Sequence, residues 1–306
     1  MSNRIKRAIF PVAGMGTRFL PVTKSVPKEM LPLVDRPLIQ YAVDEARAAG
    51  IEQIILVTAP GKASLEHYFD RAAALEAALE AKGSVGCLED VMSTVLAPGK
   101  LATVRQVDPL GLGHAVWCAR ELCGDEPVAV LLPDDVISSQ TPCLQQMVEA
   151  HAKCGGTMVA TMRLPRAEVS SYGVIDPMRG ISGGDAEPLV AVRGLVEKPA
   201  AADAPSDLAV IGRYILAPAV FDQLDQVRPG AGGEIQLTDA IAAAAAAGEP
   251  VFGFRFEGRR FDCGSKAGFI EASVAFALQR PELRDRLKAF LRRELHAPEG
   301  AVLAAE

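Results

Sequence analysis

The spacing of hydrophobic and polar residues along the chain alternates between a pattern typical of strands and a pattern typical of helices. Short apolar runs typical of buried strands are followed by longer stretches with apolar residues at helical spacing. The predicted strands are 8–12, 51–58, 101–107, 128–132 and 157–162, and the predicted helices are 37–50, 62–82, 113–122 and 141–153. This repeated pattern predicts an α/β fold with a doubly wound, mainly parallel, Rossmann-like sheet, whose ligands bind beyond the carboxyl ends of the strands.

The pattern changes at about residue 165, where glycine and proline become frequent. Short β segments at 189–196 and 208–216 predict a smaller β-rich lobe built onto the same sheet. A helix at 234–247 and a strand at 251–256 follow, and then two helices and a frayed tail at 298–306. We therefore predict one α/β domain at 1–265, with parts at 1–164 and 165–265, and a C-terminal helical segment at 266–306.

Composition excludes several classes of function. The 306 residues are 49% hydrophobic, carry a formal net charge of -6 and have a pI near 5.4. An acidic chain is not expected to bind nucleic acid, and no apolar run approaches the roughly 20 residues of a membrane span. The N-terminus lacks a signal-peptide pattern, so we expect a cytoplasmic protein. The six cysteines form no C-x-x-C pair, which argues against structural zinc.

A glycine loop directly follows the first predicted strand. Its sequence Ala13-Gly14-Met15-Gly16 is followed by three cations, Arg18, Lys24 and Lys28, set among prolines. Free backbone N–H groups beside fixed cations are suited to binding phosphate. Phe19 occupies the position where a dinucleotide fingerprint has its third glycine, and no Gly-Lys-Ser/Thr closes a P-loop. The loop therefore indicates a phosphate site of another type.

Carboxylates follow two other predicted strands. Asp134 and Asp135 end the apolar run 128–132, and Asp262 precedes the first C-terminal helix. A carboxylate is costly to place at the end of a buried strand without a partner, and one or two carboxylates plus substrate phosphates suit Mg2+. A second glycine turn, with Gln106 and Gly111, could present an amide to a flat base.

The run from 11 to 41, PVAGMGTRFLPVTKSVPKEMLPLVDRPLIQY, resembles the nucleotide-binding signature of the sugar-phosphate nucleotidyltransferases, and most closely their uridylyl-transferring type. The resemblance implies that glucose 1-phosphate attacks the α-phosphorus of UTP, giving UDP-glucose and pyrophosphate with Mg2+ as cofactor. It also implies a homo-oligomer, a tetramer or a dimer, and a nucleotide-binding part at 1–164 with a sugar-binding part at 165–265.

The resemblance assigns roles to individual residues. The catalytic cations would be Arg18, Lys28 and Lys198, and the metal ligands Asp134 and Asp262. Nucleotide binding would fall to Ala13, Gly14, Gly16, Glu29, Gln106, Gly111 and Asp134. Sugar binding would fall to Tyr172, Gly173, Glu197, Lys198 and Gly212. The sequence assigns no catalytic role to His114, and of Glu234 we expect only that it lies near the sugar end of the site.

Two alternatives remain open on the sequence. The chain could be a thymidylyltransferase, because these motifs do not distinguish thymine from uracil, which differ by one methyl group. It could also use another sugar 1-phosphate. It could also be a non-catalytic sugar-nucleotide sensor. A sensor would be expected to lack Arg18, Lys28, Asp134 or Lys198, and all four are present.

Overall fold

The computed structural model describes residues 4–178, 188–226, 228 and 233–296. The glycines predicted to mark the second lobe at Gly180, Gly183 and Gly184 lie outside the described residues, as does the tail predicted at 298–306. Within the described parts no helix is long and apolar enough to cross a membrane.

The strands agree closely with the apolar runs in the first half of the chain. They are β1 Arg7–Pro11, β2 Pro32–Leu33, β3 Arg36–Pro37, β4 Gln53–Thr58, β5 Leu101–Arg105, β6 Val128–Leu131, β7 Asp135–Ser138, β8 Thr157–Arg163, β9 Gly173–Pro177, β10 Leu189–Glu197, β11 Leu208–Leu216, β12 Val251–Arg255 and β13 Arg259–Asp262.

The helices lie between these strands and at the C-terminus. They are α1 Leu38–Ala48, α2 Ser64–His67, α3 Ala73–Ala81, α4 Val85–Thr94, α5 Leu112–Cys118, α6 Arg120–Cys123, α7 Cys143–Cys154, α8 Pro218–Leu224, α9 Leu237–Ala246, α10 Lys266–Gln279 and α11 Pro281–His296. Three short 310 turns, at Thr17–Phe19, Val22–Lys24 and Lys28–Met30, follow β1.

A nine-stranded sheet in the order β5-β4-β1-β6-β11-β8-β12-β10-β9 forms the centre of the molecule. Side chains of each central strand alternate between its two faces, as the strand period of two requires. Ile9 of β1 packs into a cluster with α5, α8 and α9, whereas its neighbours Ala8 and Phe10 pack with α1 and α7 on the other face. The fold is therefore mixed α/β, as predicted, with helices on both faces of the sheet.

The sheet is less parallel than predicted. Pairing is parallel within β5-β4-β1-β6 and between β8 and β12, but β11 is antiparallel to β6 and β8, and β10 is antiparallel to β12 and β9. Residues 198–207, between β10 and β11, contain no helix. β10 and β11 themselves run in the same direction, opposite to β8 and β12, and these two reversed strands are where the second half of the chain departs from the prediction. Because β11 lies between β6 and β8, strands of the two predicted parts share one sheet.

The segment 62–82, predicted as one helix, is two helices separated by a turn. Arg71 forms an ion pair with Glu76, and Glu76 also accepts a hydrogen bond of 2.9 Å from the backbone N–H of Ala72. This carboxylate in the first turn of α3 satisfies a helix-terminal N–H group and so favours a new helix start. Alanine-rich periodicity alone does not reveal such a break.

His151 near the end of α7 gives a testable dependence of stability on pH. Its Nε2 lies 3.0 Å from the carbonyl oxygen of Gly156, and its buried Nδ1 has no hydrogen-bond partner among the described residues. Burial lowers the pKa of His151 below its ordinary value of 6.5, and the Gly156 hydrogen bond offsets this only in part. Between the lowered pKa and about 6.5 the unfolded chain binds a proton that the native state does not, so stability falls as pH falls through that window.

We expect the free energy of unfolding of the wild type to decrease more steeply between about pH 7 and pH 5 than that of His151→Gln, by at most about 1.4 kcal/mol per pH unit. Urea unfolding at several pH values measures both slopes. Equal slopes in the two proteins would contradict this role of His151.

Candidate active site

The glycine loop and the 310 turns after β1 hold the predicted cations in fixed positions. Gly16 has φ +66°, and a Cβ atom there would lie 3.2 Å from Lys28 Cβ and from Thr23 Cγ2. Glycine is therefore required at this point, both for the backbone conformation and for the close approach of the Lys28 turn. A side chain at Gly14, in contrast, would meet no described atom within 4 Å.

Lys28 and Asp134 form an ion pair between the first loop and the end of β6. Lys28 Nζ lies 2.5 Å from Asp134 Oδ2, and both side chains are about one-quarter exposed. Burial acts to raise the pKa of Asp134, but the charge of Lys28 and its hydrogen bond outweigh burial and leave this pKa below its ordinary value. Burial likewise opposes the charge of Lys28, and Asp134 nevertheless raises the pKa of the amine. Both groups are therefore charged at neutral pH.

Arg18 and Asp262 join this pair around Gly264. Arg18 Nη1 donates to the carbonyl oxygen of Gly264 at 3.2 Å, and the Gly264 N–H donates to Asp262 Oδ1 at 3.0 Å. A Cβ atom at Gly264 would lie 3.0 Å from Asp134 Oδ2, 3.1 Å from Asp262 Oδ1 and 3.3 Å from Arg18 Nη1. Two carboxylate oxygens and a guanidinium thus converge on one glycine that leaves space between them.

This pair of carboxylates is the candidate for holding a divalent cation. The described residues contain no cluster of three or more His, Cys, Asp or Glu side chains that could form a complete metal site. Mg2+ does not need one, because it is commonly held by one or two carboxylates together with substrate phosphates. The donor set of Asp134 and Asp262 fits that mode of binding.

Asp135, next to Asp134, has both carboxylate oxygens engaged in hydrogen bonds within the protein. Arg260 Nε donates to Asp135 Oδ1 at 2.6 Å, and the backbone N–H of Gly212 donates to Asp135 Oδ2 at 2.7 Å. Arg260 also donates to the Tyr172 hydroxyl at 3.0 Å. The buried carboxylate therefore joins β7, β11 and β13 and orients Tyr172.

The predicted sugar-binding residues converge on Thr238 of α9. Thr238 Oγ1 donates to Glu197 Oε2 at 2.7 Å, and Lys198 Nζ lies 3.3 Å from Glu197 Oε1. A Cβ atom at Gly173 would lie 2.6 Å from Thr238 Cγ2. Lys198 has φ +47° and its side chain is 55% exposed, so its ammonium is open to solvent. A Cβ atom at Gly212 would meet Leu132 Cβ at 2.6 Å.

A cavity of about 650 Å3 connects the two groups. Most of the predicted catalytic, metal and sugar residues line it. They are Arg18, Asp134, Asp262, Tyr172, Gly173, Glu197, Lys198 and Gly212.

Other nucleotide candidates lie after β1 and β5, the two strands that flank β4 in the sheet. Backbone hydrogen bonds from Val12 to Val57 (2.9 Å) and from Gln106 to Thr58 (2.8 Å) hold the ends of β1, β4 and β5 side by side. Ala13 lines a second cavity of about 270 Å3 with residues of the first loop and of 59–62. Gln106 and Gly111 do not line either cavity; the Gln106 side-chain amide donates to the Gly111 carbonyl oxygen at 3.1 Å.

Glu29 is buried under the first loop. Its Oε2 lies 3.0 Å from Lys62 Nζ, which also donates to the carbonyl oxygen of Val12, whereas Glu29 Oε1 has no partner in the described parts of the chain. Burial raises the pKa of Glu29 in spite of Lys62. The pair links the 28–30 turn to the ends of β1 and β4.

Sequence reasoning missed three residues of this region: Arg260, Thr238 and Lys62. Arg260 could have been found, because the strand period of two places it on the same face as Asp262. Thr238 lies in the predicted helix 234–247, and the helical pattern does not distinguish it from its neighbours. Glu234, predicted near the sugar end, lies beside Gly111, where a Cβ atom would lie 2.8 Å from Glu234 Cβ, and accepts a hydrogen bond at 3.3 Å from Gln236, which lines the cavity.

Comparison with known proteins identifies the family. The profile described as Nucleotidyl transferase matches residues 7–279. The chain belongs to this nucleotidyl transferase family. The transferase is 50% identical over 266 residues to a UTP--glucose-1-phosphate uridylyltransferase of Komagataeibacter xylinus. The aligned region covers 87% of this chain and 92% of the relative.

Solved structures give the same result. The transferase superposes on a UDP-glucose pyrophosphorylase complexed with UDP-glucose with a TM-score of 0.79 and 43% identity, over 90% of this chain and 100% of the other. It superposes on a UTP-bound UGPase from Acinetobacter baumannii with a TM-score of 0.84 and 42% identity, over 94% and 99% of the two chains. The predicted family resemblance is confirmed.

Proposed function

We propose that the protein transfers the uridylyl group of UTP to glucose 1-phosphate and releases UDP-glucose and pyrophosphate. The observation that carries this proposal is that one cavity is lined both by Arg18, Asp134 and Asp262 and by Glu197 and Lys198. Two charged groups around one cavity fit two phosphorylated substrates. The names and bound ligands of the relatives support UTP and UDP-glucose as the substrate and product.

The chemistry requires charge neutralisation rather than a base. The second pKa of a phosphate monoester is about 6, so the attacking oxygen is already ionised near neutral pH. The barrier is the approach of two polyanions, and fixed cations lower it by positioning and by electrostatic stabilisation. Under this proposal Arg18 and Lys28 bind the triphosphate and the leaving pyrophosphate, and Lys198 holds the sugar phosphate in line. No covalent intermediate is needed.

Mg2+ is the proposed cofactor, held by Asp134 and Asp262. When bound there it would neutralise charge on the phosphoryl oxygens. The lowered pKa of Asp134 keeps this carboxylate ionised and able to accept a cation. Lys28 compensates the carboxylate charge when the phosphates are absent.

The other residues form the proposed walls of the two substrate sites. Ala13, Gly14 and Gly16 provide a backbone surface for the nucleotide, and Glu29, Gln106 and Gly111 lie at the base end. Glu197 accepts hydrogen bonds from sugar hydroxyls, beside Tyr172, Gly173 and Gly212. The two glycines are required by the packing of this wall, because a Cβ atom at either would lie 2.6 Å from a neighbouring side chain.

Pyrophosphate release measured against a matrix of nucleoside triphosphates and sugar 1-phosphates, with and without Mg2+, tests the proposal. We expect the highest kcat/KM for UTP with glucose 1-phosphate, and activity only with the metal. Preference for dTTP would instead support the thymidylyltransferase alternative, and no reaction with any pair would support a sugar-nucleotide sensor.

Lys198→Ala should impair the use of glucose 1-phosphate without impairing the use of UTP. Because the ammonium of Lys198 is directed to the sugar end, its loss should raise KM for glucose 1-phosphate by on the order of 10-fold or more and leave KM for UTP within about 2-fold. Steady-state kinetics with each substrate varied in turn measures both values. Lys153→Ala, an exposed lysine of α7, is the matched control. Unchanged kinetics with the sugar phosphate would remove Lys198 from the site.

We also propose that the protein forms a homo-oligomer through its C-terminal helices. Ile270, Phe290 and Leu295 of α10 and α11 are exposed apolar side chains. Light scattering coupled to size exclusion measures the oligomeric state. The cytoplasmic location stays a prediction from the sequence.

A further inference from the structure

The side-chain amide of Gln106 donates both of its N–H groups within the protein. Gln106 Nε2 lies 3.1 Å from the carbonyl oxygen of Gly111 and 3.1 Å from Nδ1 of His114. A carbonyl oxygen can only accept, so the amide atom facing Gly111 must be the nitrogen and not the oxygen. The Gly111 carbonyl and the His114 ring therefore each take one of the two N–H groups of the amide.

The same argument fixes the tautomer of His114. Because the Gln106 nitrogen donates to Nδ1, this ring atom must carry a lone pair, and the ring proton must be on Nε2. Nε2 faces the sulfur of Cys118 at 3.8 Å. Burial raises the pKa of the Cys118 thiol, so the sulfur is neutral and can accept this weak hydrogen bond.

The imidazole is also held in its plane. It stacks on Trp117 with ring centroids 5.8 Å apart and an angle of 21° between the planes. Trp117 is itself held by a hydrogen bond from its Nε1 to Asp225 and by the guanidinium of Arg120, 4.1 Å from the ring centroid. The chain of contacts thus runs from α8 and α6 through His114 to Gln106.

This network leaves only the oxygen of the Gln106 amide for a ligand. Nothing in the described parts of the chain donates to that oxygen. Uracil carries an N–H at ring position 3, whereas cytosine carries a lone pair there. A fixed carbonyl oxygen accepts a hydrogen bond from the first base and repels the second, which makes it an element of specificity as well as of affinity.

We propose that His114 is a positioning residue that fixes the Gln106 amide with its oxygen toward the base, and that it thereby makes the site reject cytosine nucleotides. The inference rests on the proposed function, because it requires that Gln106 meets the base of UTP. Without the Nδ1 acceptor the amide keeps only its contact with Gly111, and its second N–H group is free to donate to the lone pair of cytosine.

The first test compares UTP with CTP, each with glucose 1-phosphate, in wild type and variants. His114→Leu removes the acceptor, and the ratio of kcat/KM for UTP to that for CTP should fall by about 10-fold or more. His114→Asn places a side-chain oxygen where Nδ1 was, and should restore most of the ratio. The same change at an exposed histidine, His296→Leu, is the control and should keep the wild-type ratio.

A purely structural role of His114 predicts a different result, namely an equal loss with both nucleotides and an unchanged ratio, and that outcome would overturn the proposal. Failure of the wild type to use UTP at all would contradict the proposed function instead, so the two failures are distinguishable.

The second test needs no active variant. The 15N shifts of the four imidazoles in the wild-type protein, assigned with His114→Asn, report the tautomer of each ring. We expect a protonated Nε2 and a bare Nδ1 at His114. Protonation at Nδ1 in the neutral ring would overturn the proposal, even if the leucine variant did not fold.

Discussion

Asp134→Asn should lower kcat for uridylyl transfer by on the order of 10²-fold to 10³-fold and should abolish the stimulation by Mg2+. The change keeps the shape of the side chain and removes its charge. Asp134 Oδ2 is the oxygen that lies 2.5 Å from Lys28 Nζ and also borders the space at Gly264. The amide would therefore lose both the ion pair and the capacity to bind a hard cation.

Initial rates of pyrophosphate release across a Mg2+ titration measure this effect. Asp70→Asn, in the exposed turn after α2, is a control for loss of a carboxylate elsewhere. Thermal unfolding followed by circular dichroism separates misfolding from a defect in chemistry. A variant with a near-normal Mg2+ response would refute the role of Asp134 as a metal ligand, and the cavity would then need another site for the cation.

The sequence predicted which candidate residues lie close together better than it predicted their surroundings. Asp134 follows the apolar run 128–132, from which the end of a strand can be read, whereas Asp262 follows Arg259, Arg260 and Phe261. Because the parallel neighbours β1 and β6 end at one edge of the sheet, local patterns were sufficient to bring Asp134 near the loop of Arg18. Asp262 instead ends β13, which forms a separate two-stranded antiparallel sheet with β7. The structure places all three around Gly264.

The contacts that hold the site could not be predicted in this way. Arg260 pairs with Asp135, 125 positions earlier in the chain, and Lys62 pairs with Glu29 across 33 positions. No periodicity marks such pairs, since they depend on the order in which the strands assemble. The antiparallel direction of β10 and β11 was missed for the same reason: it is set by connections, whereas the apolar pattern of a buried strand is similar in either direction.

Arg213 is a buried residue that also holds the site in place, although it does not belong to the predicted site residues. It is 1% exposed, and its guanidinium lies 3.0 and 2.8 Å from the two carboxylate oxygens of Glu45. It also donates to the carbonyl oxygens of Leu132 and Asp135, which flank Asp134. One buried side chain thus joins α1 to the turn that carries the proposed metal ligand.

Arg213→Met should destabilise the fold by about 3–5 kcal/mol, because it leaves the carboxylate of Glu45 buried without its charged partner and removes donors from buried carbonyl groups. The double variant Arg213→Met with Glu45→Leu should recover a large part of this loss, since removing both charges also removes the cost of burying them. Urea unfolding of the wild type, both single variants and the double variant gives the coupling free energy.

Equal stability of Arg213→Met and the double variant would show that Glu45 finds other partners, for example the backbone N–H of Leu144, which already donates to it at 2.9 Å. We expect instead that the coupling is large and that the double variant still turns over more slowly than the wild type. The carbonyl groups on either side of Asp134 would no longer be held by a cation, so stability could be restored without restoring the position of the carboxylate.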